Sequence, residues 1–355
     1  MTSRIQKAVG CRRGLWPAAA VVLAAAMPQA ARAQGAVDRI IRTGGVDSGK
    51  ITAITPLGVT ISKSGVESTV PVEEIESVAF AGEPPELTSA RNALAAGRLA
   101  DAAAAVAKLP KEGIGREEIA ADADYFAAAV AARQALAGQG AAEAAIAGIR
   151  GFMARRNKSF HIPAAIELLG DLYLAAGQHE NARTEYAKLA KAKAPYFQLK
   201  SALLVGRTWQ AQGEHAKALA EFDRVLAAGE TGALIEPLKL AATLERAVAQ
   251  AAAGDVEPAT AAIGEIISKA KPEDDDLLAR AYNALGDCYL ASNDPRGALY
   301  SFLHVDLLYN QQAEAHAKAL HELAKLWKAV GRESRAEDAA ARLAQKYPGS
   351  RWAKP

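Results

Sequence analysis

Cysteine is scarce in this chain: 355 residues hold two, Cys11 and Cys288. Neither belongs to a C-x-x-C pair, so no zinc cluster and no disulfide framework is expected. Cys288 lies beside Leu285 and Tyr289 on a helical pattern, the setting of a buried structural thiol. Aromatic residues make up only 6% although 50% of residues are apolar, because alanine fills runs such as Ala102–Ala105. Alanine is the best helix former and has little side chain to bury, which favours closely packed helices with few bulky anchors. A dominant charge is also lacking. The formal net charge is +2, which supplies no global field to attract nucleic acid or anionic lipid, so a nucleic-acid partner is not expected.

The apolar stretch Ala18–Met27 is too short to span ~30 Å of hydrocarbon at ~1.5 Å per residue. It follows a basic stretch through Arg13 and precedes Ala31-Arg32-Ala33, an A-x-A cleavage pattern before Gln34. Residues 1–33 therefore read as a signal peptide. The expected location is periplasmic or secreted, with no integral membrane segment after cleavage. Arg12-Arg13 faintly resembles a twin-arginine signal, and a chance pair explains it as well, so Sec and Tat routes stay open. Loss of Arg4, Lys7, Arg12, Arg13 and Arg32 leaves the remainder at about −3.

Residues 34–82 differ from everything after them. Short β-branched runs, broken at Gly44-Gly45, Pro56-Leu57-Gly58 and Ser64-Gly65, predict a meander of antiparallel strands. Val59/Ile61 and Val70/Val72 alternate as one buried face requires, and Pro71 belongs at an edge or bulge. Five strands in so few residues are expected to curl into a small barrel. The pattern Gly49-Lys50-Ile51, Gly58–Ile61, Thr69–Pro71 and Glu74–Val78 resembles an Sm-like or SH3-like barrel. Sm-like folds often bind RNA, but the basic and aromatic residues that role needs are missing here. Residues 83–86, Glu-Pro-Pro-Glu, read as a stiff linker.

From residue 87 to 355 a helical period takes over. One unit reads Ile166, Leu169-Gly170, Tyr173, Gly177, Ala182, Tyr186 and Leu189. The next has Ala202, Val205-Gly206, Trp209, Gly213, Ala218, Phe222 and Val225. A degenerate copy keeps Thr243, Gly254, Ala259, Ile263 and Ile266. Later copies hold Tyr282, Leu285-Gly286, Tyr289, Asn293, Ala298 and Phe302, then Leu320, Leu323, Trp327, Gly331, Ala336 and Leu343. Such units resemble tetratricopeptide repeats, clearest over residues 162–197, 198–238, 278–315 and 316–352. Weaker helices at 87–109 and 117–153 bring the estimate to six or seven repeats. The resemblance implies an all-α helical solenoid after the small β-module. No single unit can bury its apolar stripe alone, so neighbours must stack.

No catalytic residue, metal ligand or cofactor-binding motif is found, and the chain reads as a non-enzyme. His316 and His321-Glu322 are five apart, whereas H-E-x-x-H needs four with the acid between; both histidines read as solvated. Glu273–Asp276 reads as a helix start. In the resembling family the first helix of each repeat lines a groove. The corresponding stripe here holds Glu167, Asp171, Lys200, Leu203, Arg207, Arg280, Asn283 and Asp287, then Lys318, His321, Lys325 and Lys328, the last four forming a basic strip. A protein or peptide partner in that groove is expected, making the chain an exported scaffold or adaptor. The alternative is a cell-wall or polysaccharide-associated accessory that binds through the β-module.

Overall fold

A computed structural model describes residues 37–110 and 114–353. The expected signal segment, residues 1–33, lies outside the described residues. The described residues open with five strands: β1 (Asp38–Arg42), β2 (Gly45–Thr55), β3 (Gly58–Lys63), β4 (Val66–Pro71) and β5 (Ile75–Ala79). All neighbours are antiparallel, in the order β4-β3-β2-β1-β5. Tight turns use positive φ at Gly44 and Gly65, which glycine adopts at no steric cost, and also at Ser64. Pro71 ends the edge strand β4, where a missing N–H costs no ladder bond.

The expected barrel is not closed. Strands β4 and β5 are the two ends of the sheet and do not pair. The reason lies in what covers the apolar face. Ile40, Ile51, Val59, Ile61, Val70 and Val78 belong to one continuous cluster that runs into Leu87, Ile119, Phe126 and Leu169 of the helical region. Helices, rather than the sheet's own curling, take this face out of water.

The helices pair as seven hairpins among the described residues. They are α1 (Pro85–Ala95) with α2 (Leu99–Val106), α3 (Glu117–Leu136) with α4 (Ala142–Arg155), and α5 (Ile162–Ala175) with α6 (His179–Tyr186). Next come α7 (Pro195–Ala211) with α8 (His215–Leu226) and α9 (Glu236–Ala252) with α10 (Val256–Lys269). The last are α11 (Asp275–Ala291) with α12 (Pro295–Leu308) and α13 (Ala313–Ala329) with α14 (Glu333–Lys346). Each first helix also packs on a neighbouring first helix or on the preceding hairpin, so the array is a solenoid of the tetratricopeptide type.

The hairpin seams explain the repeat pattern. A Cβ on Gly170 would sit 2.2 Å from the Tyr186 ring, on Gly206 2.5 Å from Phe222, and on Gly286 2.6 Å from Phe302. Ala182, Ala218 and Ala298 are fully buried beside those rings. In the degenerate copy, Ala247 and Ile263 share one cluster: a smaller partner than an aromatic ring tolerates a methyl group opposite. Gly177, Gly213 and Asn293 close the first helices in the left-handed conformation.

Ionic contacts fix the junction of sheet and solenoid. Arg116 grips Asp38 at 2.7 and 3.1 Å, while Asp38 also accepts backbone N–H bonds from Ile51 and Ala81. Glu83, placed between sheet and α1, takes two bonds from Arg91, one from each terminal nitrogen, and Nη2 also donates to Asp122 at 2.8 Å. Asp122 in turn bonds His161, which stacks on Tyr125 at 3.7 Å.

His316 corrects the sequence reading. It is fully buried rather than solvated, held between Asp306 and the Tyr347 hydroxyl at 2.7 Å each. Its partners come from α12 and from the end of α14, and Arg342 completes the network on Asp306. A buried imidazole whose two nitrogens are both satisfied carries no desolvation penalty for an unmade bond.

Candidate functional site

The inner face is built by the first helices of successive hairpins. Their apolar stripes are spent on packing, so the opposite stripe projects polar groups into cavities between them. One cavity, of about 640 Å³, lies beside the sheet and is lined by Tyr125, Phe126, Arg133, Glu167, Tyr196 and Lys200, among others. A second, of about 480 Å³, is lined by Arg207, Glu245, Arg280, Asn283, Asp287 and Lys318. A third, of about 590 Å³, lies between α13 and α14 and takes in His321, Lys325, Lys328, Glu333, Glu337 and Trp352.

The candidate residues thus fall into three groups. Glu167 and Lys200 share the first cavity as an ion pair of 2.8 Å, and Lys200 also reaches the Tyr196 hydroxyl at 3.1 Å. Burial pushes the Glu167 carboxyl up, with Lys200 opposing and nearby Asp171 adding to the shift. Asp171 lines none of these cavities; it accepts a 2.7 Å bond from the Tyr186 hydroxyl. Leu203 is buried in the packing between hairpins.

The second cavity holds the densest set. Arg207 pairs with Glu245 at 3.0 Å, Arg280 with Asp276 at 3.2 Å, and Lys318 with Asp287. Burial raises the Asp287 carboxyl, and the Lys318 ammonium pulls the other way. Asn283, 4% exposed, donates to the Ala315 carbonyl at 2.9 Å, and its Oδ1 has no partner. An unpartnered buried acceptor beside a cavity leaves one hydrogen-bonding capacity unused there.

The basic strip is divided by the structure. Lys318 belongs to the second cavity, whereas His321, Lys325 and Lys328 face the third together with Glu333 and Glu337. Lys325 lies 3.3 Å from Glu322, and Lys328 makes no ion pair among the described residues. Burial, then Lys325, holds the His321 imidazole below its ordinary pKa.

Sequence reasoning missed Glu245, Glu314 and Trp352. Glu245 stands 38 residues from its partner Arg207 on the equivalent stripe of the next first helix, so the repeat period could have found it. Glu314 precedes Lys318 by one helical turn, an equally readable signal. Trp352 follows the last repeat, where no periodicity points to it. Among the described residues, no group of three or more His, Cys, Asp or Glu could hold a metal ion. No helix among them is long and apolar enough to cross a membrane.

No family model matches the chain. No curated protein matches it either. Among solved structures, a tetratricopeptide repeat protein from Parabacteroides merdae is 16% identical, with 74% of this chain and 92% of that one covered at a TM-score of 0.49. PilW, a widely conserved type IV pilus biogenesis factor, is 17% identical, with 65% and 96% covered at a TM-score of 0.37. The fold assignment rests on the hairpin seams rather than on these likenesses.

Proposed function

We propose that this chain is an exported, non-catalytic scaffold that binds a polypeptide partner along the inner face of its solenoid. The observation that carries the reading is the second cavity. It brings Arg207, Arg280, Asn283, Asp287 and Lys318 from three different hairpins onto one wall. Two of its ion pairs, Arg207–Glu245 and Arg280–Asp276, are partly exposed, so an incoming chain can exchange one partner for another there at small net cost. The free Asn283 acceptor gives a backbone N–H a place to bond. Paired charges without a nucleophile, base and oxyanion donor around one reacting position suit binding better than chemistry.

Export is supported by the pattern of residues 1–33 alone. The test is affinity capture from envelope extracts with the wild-type chain and with Lys318→Glu/Arg207→Glu. The reading expects a partner recovered by the first and lost by the second. Equal recovery by both would remove the inner face from consideration.

A further inference from the structure

After α14 the described residues stay against the array. The chain turns at Pro348-Gly349 and crosses back over the mouth of the array. Gly349 lies against the turn between α1 and α2: a Cβ there would meet Leu99 at 3.0 Å and the Gly97 carbonyl at 3.5 Å. Gln139, after α3, donates to the Pro348 carbonyl. The last hairpin is thereby joined to the first two.

The segment then places a cation and an indole on α13. Arg351 Nε and Trp352 Nε1 both donate to Glu314 Oε1, at 3.1 and 3.0 Å. The Arg351 guanidinium also covers the Trp352 ring at 4.7 Å, and the His321 ring lies 5.6 Å away. Trp352 borders both the second and the third cavity, so the indole fills neither.

The two ends of this segment are held very differently. Its root, Tyr347, is fastened by the buried His316. Its tip has no fully buried group: Arg351 and Glu314 are 64% and 66% exposed, and Trp352 and Ala353 are only partly buried against the core. Exposed pairs of that kind hold weakly, so the tip can leave while the root stays.

We propose that residues 347–353 are a latch lying over part of the inner-face binding surface. The surface beneath it, Glu314 with Lys318 and His321, is then a docking site for an extended polypeptide carrying a cationic–aromatic pair like Arg351-Trp352. The occupant's chemistry is read from the one segment seen seated there. The anionic Glu314 takes the cation and the indole N–H, and the two flanking cavities leave room for a longer chain. This rests on the proposed inner-face binding and adds its regulation: a partner competes with the latch for Glu314.

The test uses a labelled synthetic peptide, Tyr-Pro-Gly-Ser-Arg-Trp-Ala, and fluorescence anisotropy with the full chain. Removing the tip with Arg351→Ala/Trp352→Ala frees the surface; a latch closed nine-tenths of the time then predicts about tenfold tighter peptide binding than wild type. Adding Glu314→Gln to that variant should reverse the gain. Equal binding by wild type and the tip variant overturns the proposal, as does a gain that survives Glu314→Gln.

Should the tip variant lose its helical circular dichroism, a second measurement decides. In a chain carrying Trp16→Phe, Trp209→Phe and Trp327→Phe, the remaining indole is Trp352. Excess Gly-Ser-Arg-Phe-Ala should displace it and raise its acrylamide quenching severalfold; unchanged quenching overturns the latch. The two readings fail separately. A partner captured through Lys318 and Arg207 with the same affinity whether the tip is present or removed keeps the scaffold and sinks the latch. Peptide exchange without any such partner does the reverse.

Discussion

Gly206 lies directly beneath the ring of Phe222, so near that a single added carbon would be 2.5 Å from it. The contact joins α7 to α8, and the same arrangement recurs sixteen residues apart at Gly170–Tyr186 and Gly286–Phe302. Phe222 is fully buried in the cluster that passes to α9 through Leu238 and Ala242. The seam therefore holds its own hairpin and also the next one.

Gly206→Val should destabilise the array by about 1–3 kcal/mol through overpacking. Gly264, in α10, has nothing within 4 Å of its added Cβ, so Gly264→Ala should stabilise by about 0.5–1 kcal/mol by lowering backbone entropy in a helix. Urea melts of the two variants check the opposite signs. If Gly206→Val leaves the midpoint unchanged, the seam account is wrong.

Arg91 and Arg207 are both paired, yet their removal should differ greatly. Arg91 is 9% exposed between Glu83 and Asp122, so Arg91→Leu takes the guanidinium from two buried carboxylates and should cost about 3–5 kcal/mol. Arg207 is 40% exposed beside Glu245, and Arg207→Ala should cost less than about 1 kcal/mol. Chemical denaturation of each variant reads the difference.

The helical period, the hairpin partners and the tight seams were legible in the sequence because glycine, alanine and an aromatic ring recur at spacings that only interlocked helices need. Three features were not. Val59, Ile61 and Val70 present the same alternation whether a sheet curls on itself or is covered by helices, so the open sheet was hidden. His316 lies on the stripe that its own helix packs inward, but its partners Asp306 and Tyr347 come from other helices. The meeting of Pro348-Gly349 with Gln139, Gly97 and Leu99 of the first hairpins depends on the curvature summed over all hairpins, which no local period encodes. Of the inner-face stripe, Asp171 bonds Tyr186 and Leu203 is buried in packing, and the ion pairs among the rest were not legible either.

Acid should unfold the chain through identifiable carboxylates. Burial acts to raise Asp38, Glu83 and Asp306, but Arg116 and backbone N–H groups at Asp38, Arg91 and Thr88 at Glu83, and His316 and Arg342 at Asp306 outweigh it, and all three are lowered. Their stability is present above the unfolded pKa and is lost as pH falls through the lower folded value. Glu167 and Asp287, raised by burial, act with the opposite sign and favour the folded state as pH falls toward the ordinary carboxylate range. Stability should therefore hold between about pH 7 and pH 5 and drop below about pH 4. Asp306→Asn should flatten that drop. Urea midpoints across the range check it; a decline beginning at pH 6 would contradict the assignment.

Cys288 is fully buried, and burial, aided by the neighbouring Asp287, pushes its thiol up to about 12. A thiol held protonated and covered does not attack reagents. It should resist a disulfide reagent at pH 8 in the native chain and react within seconds in denaturant, as absorbance at the released thiolate reports.

Where a partner touches this molecule is decided most directly by site-specific photo-crosslinking in the cell of origin. A photoreactive residue replaces Arg280 on the inner face in one chain and exposed Tyr300 on α12 in another. Binding along the inner face predicts a discrete crosslinked protein from position 280 and none from position 300. A product from position 300 with none from position 280 would contradict it.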